Sequence, residues 1–355
     1  MNIEMKDLGL NDFFLKEVKQ FEDFHIGRVA SLSKGMYKLI TDQGELKAEI
    51  SGKFRFKATG ARSYPTVGDF VMIQRTDENS IIHHVLSRKS LLVRKEAGMT
   101  QETQLIAANI DKIFICMSLN NDFNIRRMER YLAIAWDSGA VPVIVLTKAD
   151  LCENIEAMLE KVSRVSIGVD VIVTSSVNNE GYEPVKNYLS SGQTAAFIGS
   201  SGVGKSTLIN ALLGQELIET RDIRNDDKGK HTTTRRELFL ISGLGVVIDT
   251  PGMRELGVQS VDLSKSFSDI DELTKQCKFN DCQHKNEPGC AVQQAITVGE
   301  LSNKRLQSYQ KLEREARHAE LKAESREKER LKYMFDKLRE TKRIRKAVKA
   351  KNRRR

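Results

Sequence analysis

The chain has 355 residues, 40% of them hydrophobic, which is enough for two or three domains with buried cores, and no apolar run approaches the ~18 residues of a membrane span. Residues 1–14 carry Glu4, Asp7 and Asp12 where a signal peptide needs an apolar stretch, and five cysteines in such a length make no disulfide framework, so a reducing, cytoplasmic setting is expected. The net charge of +9 is matched by the last fifteen residues alone, Thr341–Arg355, which hold nine Lys or Arg and no acid, so the remainder is near neutral and the end of the chain points to a polyanionic partner.

Residues 1–24 read as a loose leader or a short helix. From Ile26 to about Val85 the pattern is β-like, with short runs at Lys38–Ile40, Lys47–Ile50, Phe54–Lys57 and Asp69–Gln74. Gly44, Gly52, Gly60 and Pro65 punctuate them. A five-stranded OB-fold barrel over residues 25–88 is expected. Eight Lys or Arg against three acids lie between Arg28 and Arg62, with Tyr37, Phe54, Phe56 and Tyr64 among them. These aromatics are either the barrel's core or a surface on which RNA bases stack.

Ser87–Ala108 reads as a polar connection, after which strands and helices alternate. Ile113–Met117, Val141–Leu146, Val169–Val173, Thr194–Ile198, Glu237–Ile241 and Val246–Ile248 are apolar strands. Arg126–Trp136 and Ile155–Val165 have helical spacing. Continuous apolar strands separated by helices predict a parallel, doubly wound sheet, with ligands at the carboxyl ends of its strands.

After the strand Thr194–Ile198 comes Gly199-Ser200-Ser201-Gly202-Val203-Gly204-Lys205-Ser206-Thr207, a G-x-x-x-x-G-K-S phosphate loop. Its glycines let successive N–H groups turn into one concavity, and the following helix N-terminus favours anions. Lys205 can reach the β- and γ-phosphates, and the Ser206 hydroxyl can ligate Mg²⁺. Asp249-Thr250-Pro251-Gly252 ends a strand about fifty residues after the start of the phosphate loop. Its carboxylate can hold the Mg²⁺ shell, and the Gly252 N–H can sense a γ-phosphate. Between them lie Thr232, Thr233 and Thr234, one of which can complete the metal sphere in a switch loop. Thr233 is carried as the candidate, although the sequence does not separate it from its neighbours.

Thr147-Lys148-Ala149-Asp150 resembles the guanine-reading N-K-x-D. One carboxylate, Asp150, can accept both N1–H and N2–H₂ of guanine, a donor pair that adenine lacks. Lys148 can lie over the base, and Ser175-Ser176 ends the next strand where a backbone N–H can meet the guanine oxygen. Thr147 replaces an amide by a hydroxyl, which predicts weaker affinity. The base motif precedes the phosphate loop, the reverse of the usual order. This predicts a circularly permuted G domain over residues 89–258, converging because domain termini often lie close together. Met253 stands where many such enzymes place a water-orienting Gln. His231 is either its replacement or a plain loop or RNA-contact residue.

Cys277-x₄-Cys282-x-His284-x₅-Cys290 supplies three thiolates and one imidazole. That set makes a closed tetrahedral Zn²⁺ site, structural because no position stays open. It defines a helical zinc domain over residues 259–320. Cys116 and Cys152 read as small hydrophobes. Ser302–Arg355 is rich in Lys, Arg, Glu, Ala and Leu and predicts a charged helix. Its basic extension over residues 321–355 is expected to bind nucleic acid in a salt-dependent way.

Barrel, T-K-A-D, G-S-S-G-V-G-K-S, G-K-H-T-T-T, D-T-P-G and C-K-F-N-D-C-Q-H-x-x-E-P-G-C-A-V together resemble the bacterial ribosome small-subunit-dependent GTPases, the RsgA (YjeQ) family. The likeness runs from about Ile26 to Leu312. It implies a cytoplasmic GTPase of late small-subunit maturation, stimulated by the subunit. It also implies an OB-fold and a zinc domain that contact 16S rRNA, with the nucleotide held at Thr147–Asp150 and Gly199–Thr207; Ser175 joins the GTP-binding set, and Mg²⁺ the cofactors, on the residue reading above. Zinc would be held by Cys277, Cys282, His284 and Cys290. No membrane partner is expected, and the chain is read as a monomer. Two other readings compete. An ATP-dependent enzyme is disfavoured by Asp150, and a decayed, non-catalytic RNA-binding module by the retained Lys205, Ser206 and Asp249.

Overall fold

In the computed structural model the described residues are 4–76, 79–95, 103–178, 180–215, 218, 236–250, 263–285, 287–317, 321, 325 and 328. His231, Thr232, Thr233, Thr234, Gly252, Met253 and the basic end Thr341–Arg355 lie outside them.

The N-terminal part is a closed barrel of β1 (His25–Ser33), β2 (Met36–Thr41), β3 (Gly44–Ile50), β4 (Phe70–Gln74) and β5 (Ser80–Val85). The strands run in the order β1-β2-β3-β5-β4 and close through β1–β4, with β3 and β5 parallel. This is the OB arrangement expected from the sequence. One expected strand is wrong: Phe54–Lys57 belongs to a helix, α2 (Gly52–Lys57). Alternating Lys and Phe mimic the strand period of two, but the alternation marks no buried face, since Phe56 is 91% exposed. The Ser51 hydroxyl caps α2 by accepting from Phe54 N at 3.0 Å. Tyr37 is buried in the barrel core, so it answers to the packing alternative rather than to stacking on a base.

The leader takes the short-helix alternative. It forms α1 (Asp12–Val18), and Phe14 packs on Phe70 with ring centroids 4.5 Å apart. Arg28, fully buried on β1, gathers the parts. It donates to the carbonyls of Leu8 and Gly68, to that of Asn109 at 3.3 Å, and to Thr194 Oγ1 at 2.8 Å. Burial pulls this guanidinium down to about 10, against the attraction of Asp111 and Asp69. Removing one member of such a buried polar set strands its partners. Arg28→Ala should therefore cost about 3–5 kcal/mol, read as a lower denaturant midpoint.

Ser87–Ala108 is no mere connection. It contains the hairpin β6 (Leu91–Lys95) and β7 (Thr103–Ala108), whose Leu92, Ile106 and Ala107 enter the main core. The next elements are β8 (Lys112–Ser118), α3 (Ile125–Asp137), β9 (Val141–Thr147), α4 (Ile155–Ser163) and β10 (Val171–Val173). Then follow α5 (Tyr182–Lys186), β11 (Thr194–Ile198), α6 (Lys205–Leu213), β12 (Glu237–Ile241) and β13 (Gly245–Asp249). The sheet order is β10-β9-β8-β11-β13-β12, parallel except for β12. Both sheet faces are covered, which is why these strands are apolar throughout. On β8, Ile113, Ile115 and Met117 face the cluster under α3 and α4, while Phe114 and Cys116 face that under α5 and α6.

The barrel joins this sheet, since β1 pairs with β12 at Ser31 and Glu237. The chain continues into α7 (Ser268–Thr274), α8 (Ala291–Val298) and a helix over residues 303–317, packed around Phe267, Ile270, Val292 and Leu306.

Candidate functional site

The strand order changes direction between β8 and β11. From β8 the chain winds outward through β9 and β10, then returns to β11 and β13 on the other side. Such a switch point opens a crevice at the carboxyl ends of the strands. The phosphate loop follows β11 at this edge, and Thr147, Ser175 and Asp249 stand at or just past the ends of β9, β10 and β13.

The phosphate loop needs glycine where it has it. Gly199 has φ 153°, and a Cβ there would lie 2.4 Å from the Cys116 carbonyl oxygen. Gly204, at φ 97°, precedes α6 and offers no side-chain cap, so the first N–H groups of the helix are left for an anion. The Lys205 ammonium is buried and donates to the carbonyls of Gly199 at 3.0 Å and Ser200 at 2.8 Å. Burial lowers its pKa, while nearby Asp249 holds it up. Burial raises Asp249 to about 6, opposed first by Lys205. The Thr250 hydroxyl donates to the Phe197 carbonyl, fixing the turn after β13 to β11. Ser206 sits half-buried in the first turn of α6. Ser206 on α6 and Asp249 at the end of β13 are hard oxygen donors of the kind Mg²⁺ takes. Cys116, pushed up to about 12 by burial, behaves as the inert hydrophobe expected of it.

The base-side loop is tied to the phosphate loop. The Thr147 hydroxyl donates to the Val203 carbonyl at 2.5 Å. Thr147, whose hydroxyl stands in for an amide and is expected to weaken the site, thus supplies a hydrogen bond that joins the two loops. Lys148 adopts the left-handed region, φ 56°, and turns the chain so that Asp150 stands exposed. Asp150 accepts from the Ser175 hydroxyl at 2.6 Å, and Ala149 N donates to the Thr174 carbonyl at 3.1 Å. The loops after β9 and β10 are therefore one unit. Sequence reading missed Arg127 and Tyr131 of α3, whose side chains both bond the Ser200 hydroxyl, Arg127 at 2.5 Å. Their i, i+4 spacing was visible, but their partner was not.

The second cluster lies between α7 and α8. The donor atoms of Cys277, Cys282, His284 and Cys290 all fall within 4.8 Å of one another. His284 Nδ1 lies 3.6 Å from Cys277 Sγ and 3.5 Å from Cys290 Sγ, and the two sulfurs are 3.9 Å apart. A tetrahedral zinc with bonds of about 2.3 Å to sulfur and 2.0 Å to nitrogen has edges of about 3.5–3.8 Å. Cys277, His284 and Cys290 lie close to those edges, and Cys282 completes a three-sulfur, one-nitrogen set within 4.8 Å. Thr274 Oγ1 lies 3.3 Å from His284 Nε2, which leaves Nδ1 for a metal. Gly289, at φ 77°, makes the turn into Cys290, and Cys290 Sγ accepts from Gln293 N at the start of α8.

The RsgA GTPase family model matches residues 85–259. An ABC transporter model matches residues 182–348, a span that includes the phosphate loop. The small ribosomal subunit biogenesis GTPase RsgA 2 of Lactiplantibacillus plantarum is 47% identical over 94% of this chain and 96% of its own length. RsgA of Methanosarcina acetivorans is 44% identical, over 87% of this chain and 85% of its own. Among solved structures, YjeQ from Thermotoga maritima superposes with a TM-score of 0.61 at 26% identity, over 81% of this chain and 97% of that one. YloQ, described as a circularly permuted GTPase, gives 0.60 at 27% identity, over 83% and 96%. With its loops in permuted order around one crevice, and at this identity over nearly its whole length, the chain belongs to the RsgA family of GTPases.

Proposed function

We propose that this chain binds the small ribosomal subunit through 16S rRNA and hydrolyses GTP to GDP and phosphate during late subunit maturation. The observation that carries the reading is the Thr147–Val203 hydrogen bond of 2.5 Å, which brings an exposed Asp150 and the phosphate loop to one crevice. Asp150 reads guanine. Lys148 and Ala149 shape the loop around the base, and Ser175 orients the Asp150 carboxylate. Gly199–Thr207 hold the phosphates. Ser206 and Asp249 hold Mg²⁺, which would neutralise charge on the phosphates when bound. Thr233 and Gly252 respond to the γ-phosphate. Cys277, Cys282, His284 and Cys290 hold one structural zinc. The proposed units are the leader 1–24, barrel 25–88, G domain 89–258, zinc domain 259–320 and basic extension 321–355. A cytoplasmic location and a monomeric state are part of the proposal; among the described residues, no helix is long and apolar enough to cross a membrane.

The direct test is phosphate release from GTP with and without purified small subunits. Slow turnover alone and faster turnover with subunits is the expected result, and no stimulation would contradict the proposed role. In the same assay His231→Ala should remove mainly the stimulated part and leave GTP binding intact. Stimulation equal to wild type would remove His231 from the mechanism.

Base specificity has its own test. Guanine offers Asp150 two donors, and hydrogen bonds to a charged group contribute ~1.5–3 kcal/mol each. Asp150→Asn should weaken GTP by ~10²–10⁴-fold and favour xanthosine triphosphate, which carries a carbonyl at C2. Equal affinity of the wild type for ATP and GTP would refute the assignment.

A further inference from the structure

α3 makes two sets of contacts from two faces. On one face are Arg127 and Tyr131, four residues apart, both on the Ser200 hydroxyl of the phosphate loop. The Arg127 guanidinium is held there by Asp122, at 2.8 and 3.2 Å. On the other face are Arg126, Glu129, Arg130 and Ala133, at helical spacing of three and four. Ala133 is packed in the core of the C-terminal domain, and Arg130 pairs with Glu315 at 3.2 Å.

Glu129 is the centre of this second face. Its side chain is 1% exposed. Both of its oxygens lie 2.7 Å from Arg126 Nη1, and Oε1 also accepts from Arg305 Nη1 at 3.2 Å. Arg305 in turn forks onto Asp269 at 2.6 and 2.8 Å, donates to the Ser266 carbonyl at 3.0 Å, and lies 4.7 Å over the Phe267 ring. Two carboxylates and two guanidiniums balance in charge. A buried set of this kind adds little net stability over apolar packing, but it admits few geometries. At a joint between domains, it fixes how α3 meets the C-terminal domain.

We propose that α3 couples occupation of the phosphate loop to the metal-binding domain. Arg127 is the positioning residue at the loop end, and Glu129–Arg305–Asp269 form the joint at the other. A polyphosphate that draws Ser200 or its backbone shifts Arg127. The rigid helix then carries that shift to a joint with few allowed arrangements. This route runs through space and is independent of the chain path after Gly252. The coupling is reciprocal: a polyanion bound to the C-terminal domain would change nucleotide affinity by the same factor. The proposal rests on the nucleotide reading of the crevice.

The test uses the full-length, zinc-loaded chain. Amide hydrogen exchange of residues 263–317 is measured with and without GDP or a non-hydrolysable GTP analogue plus Mg²⁺, and nucleotide affinity is measured separately by fluorescence. The wild type should bind nucleotide and change exchange in residues 266–305. Glu129→Gln and Arg305→Lys, both chosen to keep size and fold, should bind nucleotide within about twofold of wild type. They should lose most of the nucleotide-dependent change. Arg127→Gln should lose it from the other end. A purely structural joint would raise exchange equally with and without nucleotide, leaving the difference intact, and that outcome overturns the proposal. So does a wild type that binds nucleotide without any change in residues 266–305. Absence of nucleotide binding by the wild type would instead refute the crevice reading, and the coupling with it.

Discussion

Replacing Lys205 by alanine is expected to abolish GTP turnover, both basal and subunit-stimulated. The ammonium sits buried against the Gly199 and Ser200 carbonyls, at 3.0 and 2.8 Å, at the mouth of α6. From there it can reach the β- and γ-phosphates of a bound nucleotide, where charge builds in the transition state. Removing one preorganised group that stabilises such charge costs ~10²–10³-fold in rate. A full positive charge in a water-poor site stands at the upper end of that range. Alanine leaves the φ-restricted glycines in place, so the loop keeps its shape. Asp249 then loses the cation that does most to draw its raised pKa back down. The check is single-turnover phosphate release beside nucleotide binding. A variant turning over within tenfold of wild type would show that Lys205 is not the group that meets the phosphates.

Much of this site was legible because its chemistry fixes backbone. Gly199 and Gly204 must take conformations that side chains resist, so the phosphate loop declares itself by spacing. The doubly wound sheet was legible because strands covered on both faces are apolar at every position, as in Ile113–Met117. The failures have physical causes too. Phe54 and Phe56 alternate with cations at the strand period, and only the Ser51 cap distinguishes α2 from a strand. In the hairpin β6–β7 the apolar runs are short and separated by polar residues, so the sequence reads as a connection although Leu92 and Ile106 are buried. The leader's apolar run Phe13–Leu15 is too short to show what it packs on, since Phe70, the partner of Phe14, and Arg28, which bonds the Leu8 carbonyl, come later in the chain. The links through Thr147, Arg127 and Glu129 join side chains to groups far off in sequence, and no local pattern encodes them.

The proposed zinc site gives the second large effect. Cys282→Ser is expected to unfold the C-terminal domain while leaving nucleotide binding close to wild type. The core there is small, built on Phe267, Ile270, Val292, Leu306 and Leu312. The sulfur and imidazole donors bring the turns after α7 to the start of α8 within one coordination sphere. Structural zinc in such sites contributes ~10–16 kcal/mol of binding free energy at neutral pH, which is folding free energy where the site does not preexist. Losing one of four ligands should therefore outweigh a typical core mutation. Cys282 is the informative choice, because Cys290 also caps α8 through Gln293 N at 3.4 Å and its loss would mix two effects. Elemental analysis should find one zinc per wild-type chain and well under one in the variant. Hydrogen exchange should rise across residues 263–317 and change little across β8, β9 and β11. Chelation of the wild type, or acid that protonates the thiolates, should reproduce the same pattern. A freshly purified wild-type chain without zinc, or a Cys282→Ser chain that keeps it, would sink the assignment. Unfolding should also free α3 from Arg305 and from the core around Ala133, loosening the helix that carries Arg127 to Ser200 while the Thr147–Val203 hydrogen bond stays in place. A modest loss of nucleotide affinity, smaller than that of Asp150→Asn, is the expected size of that secondary effect.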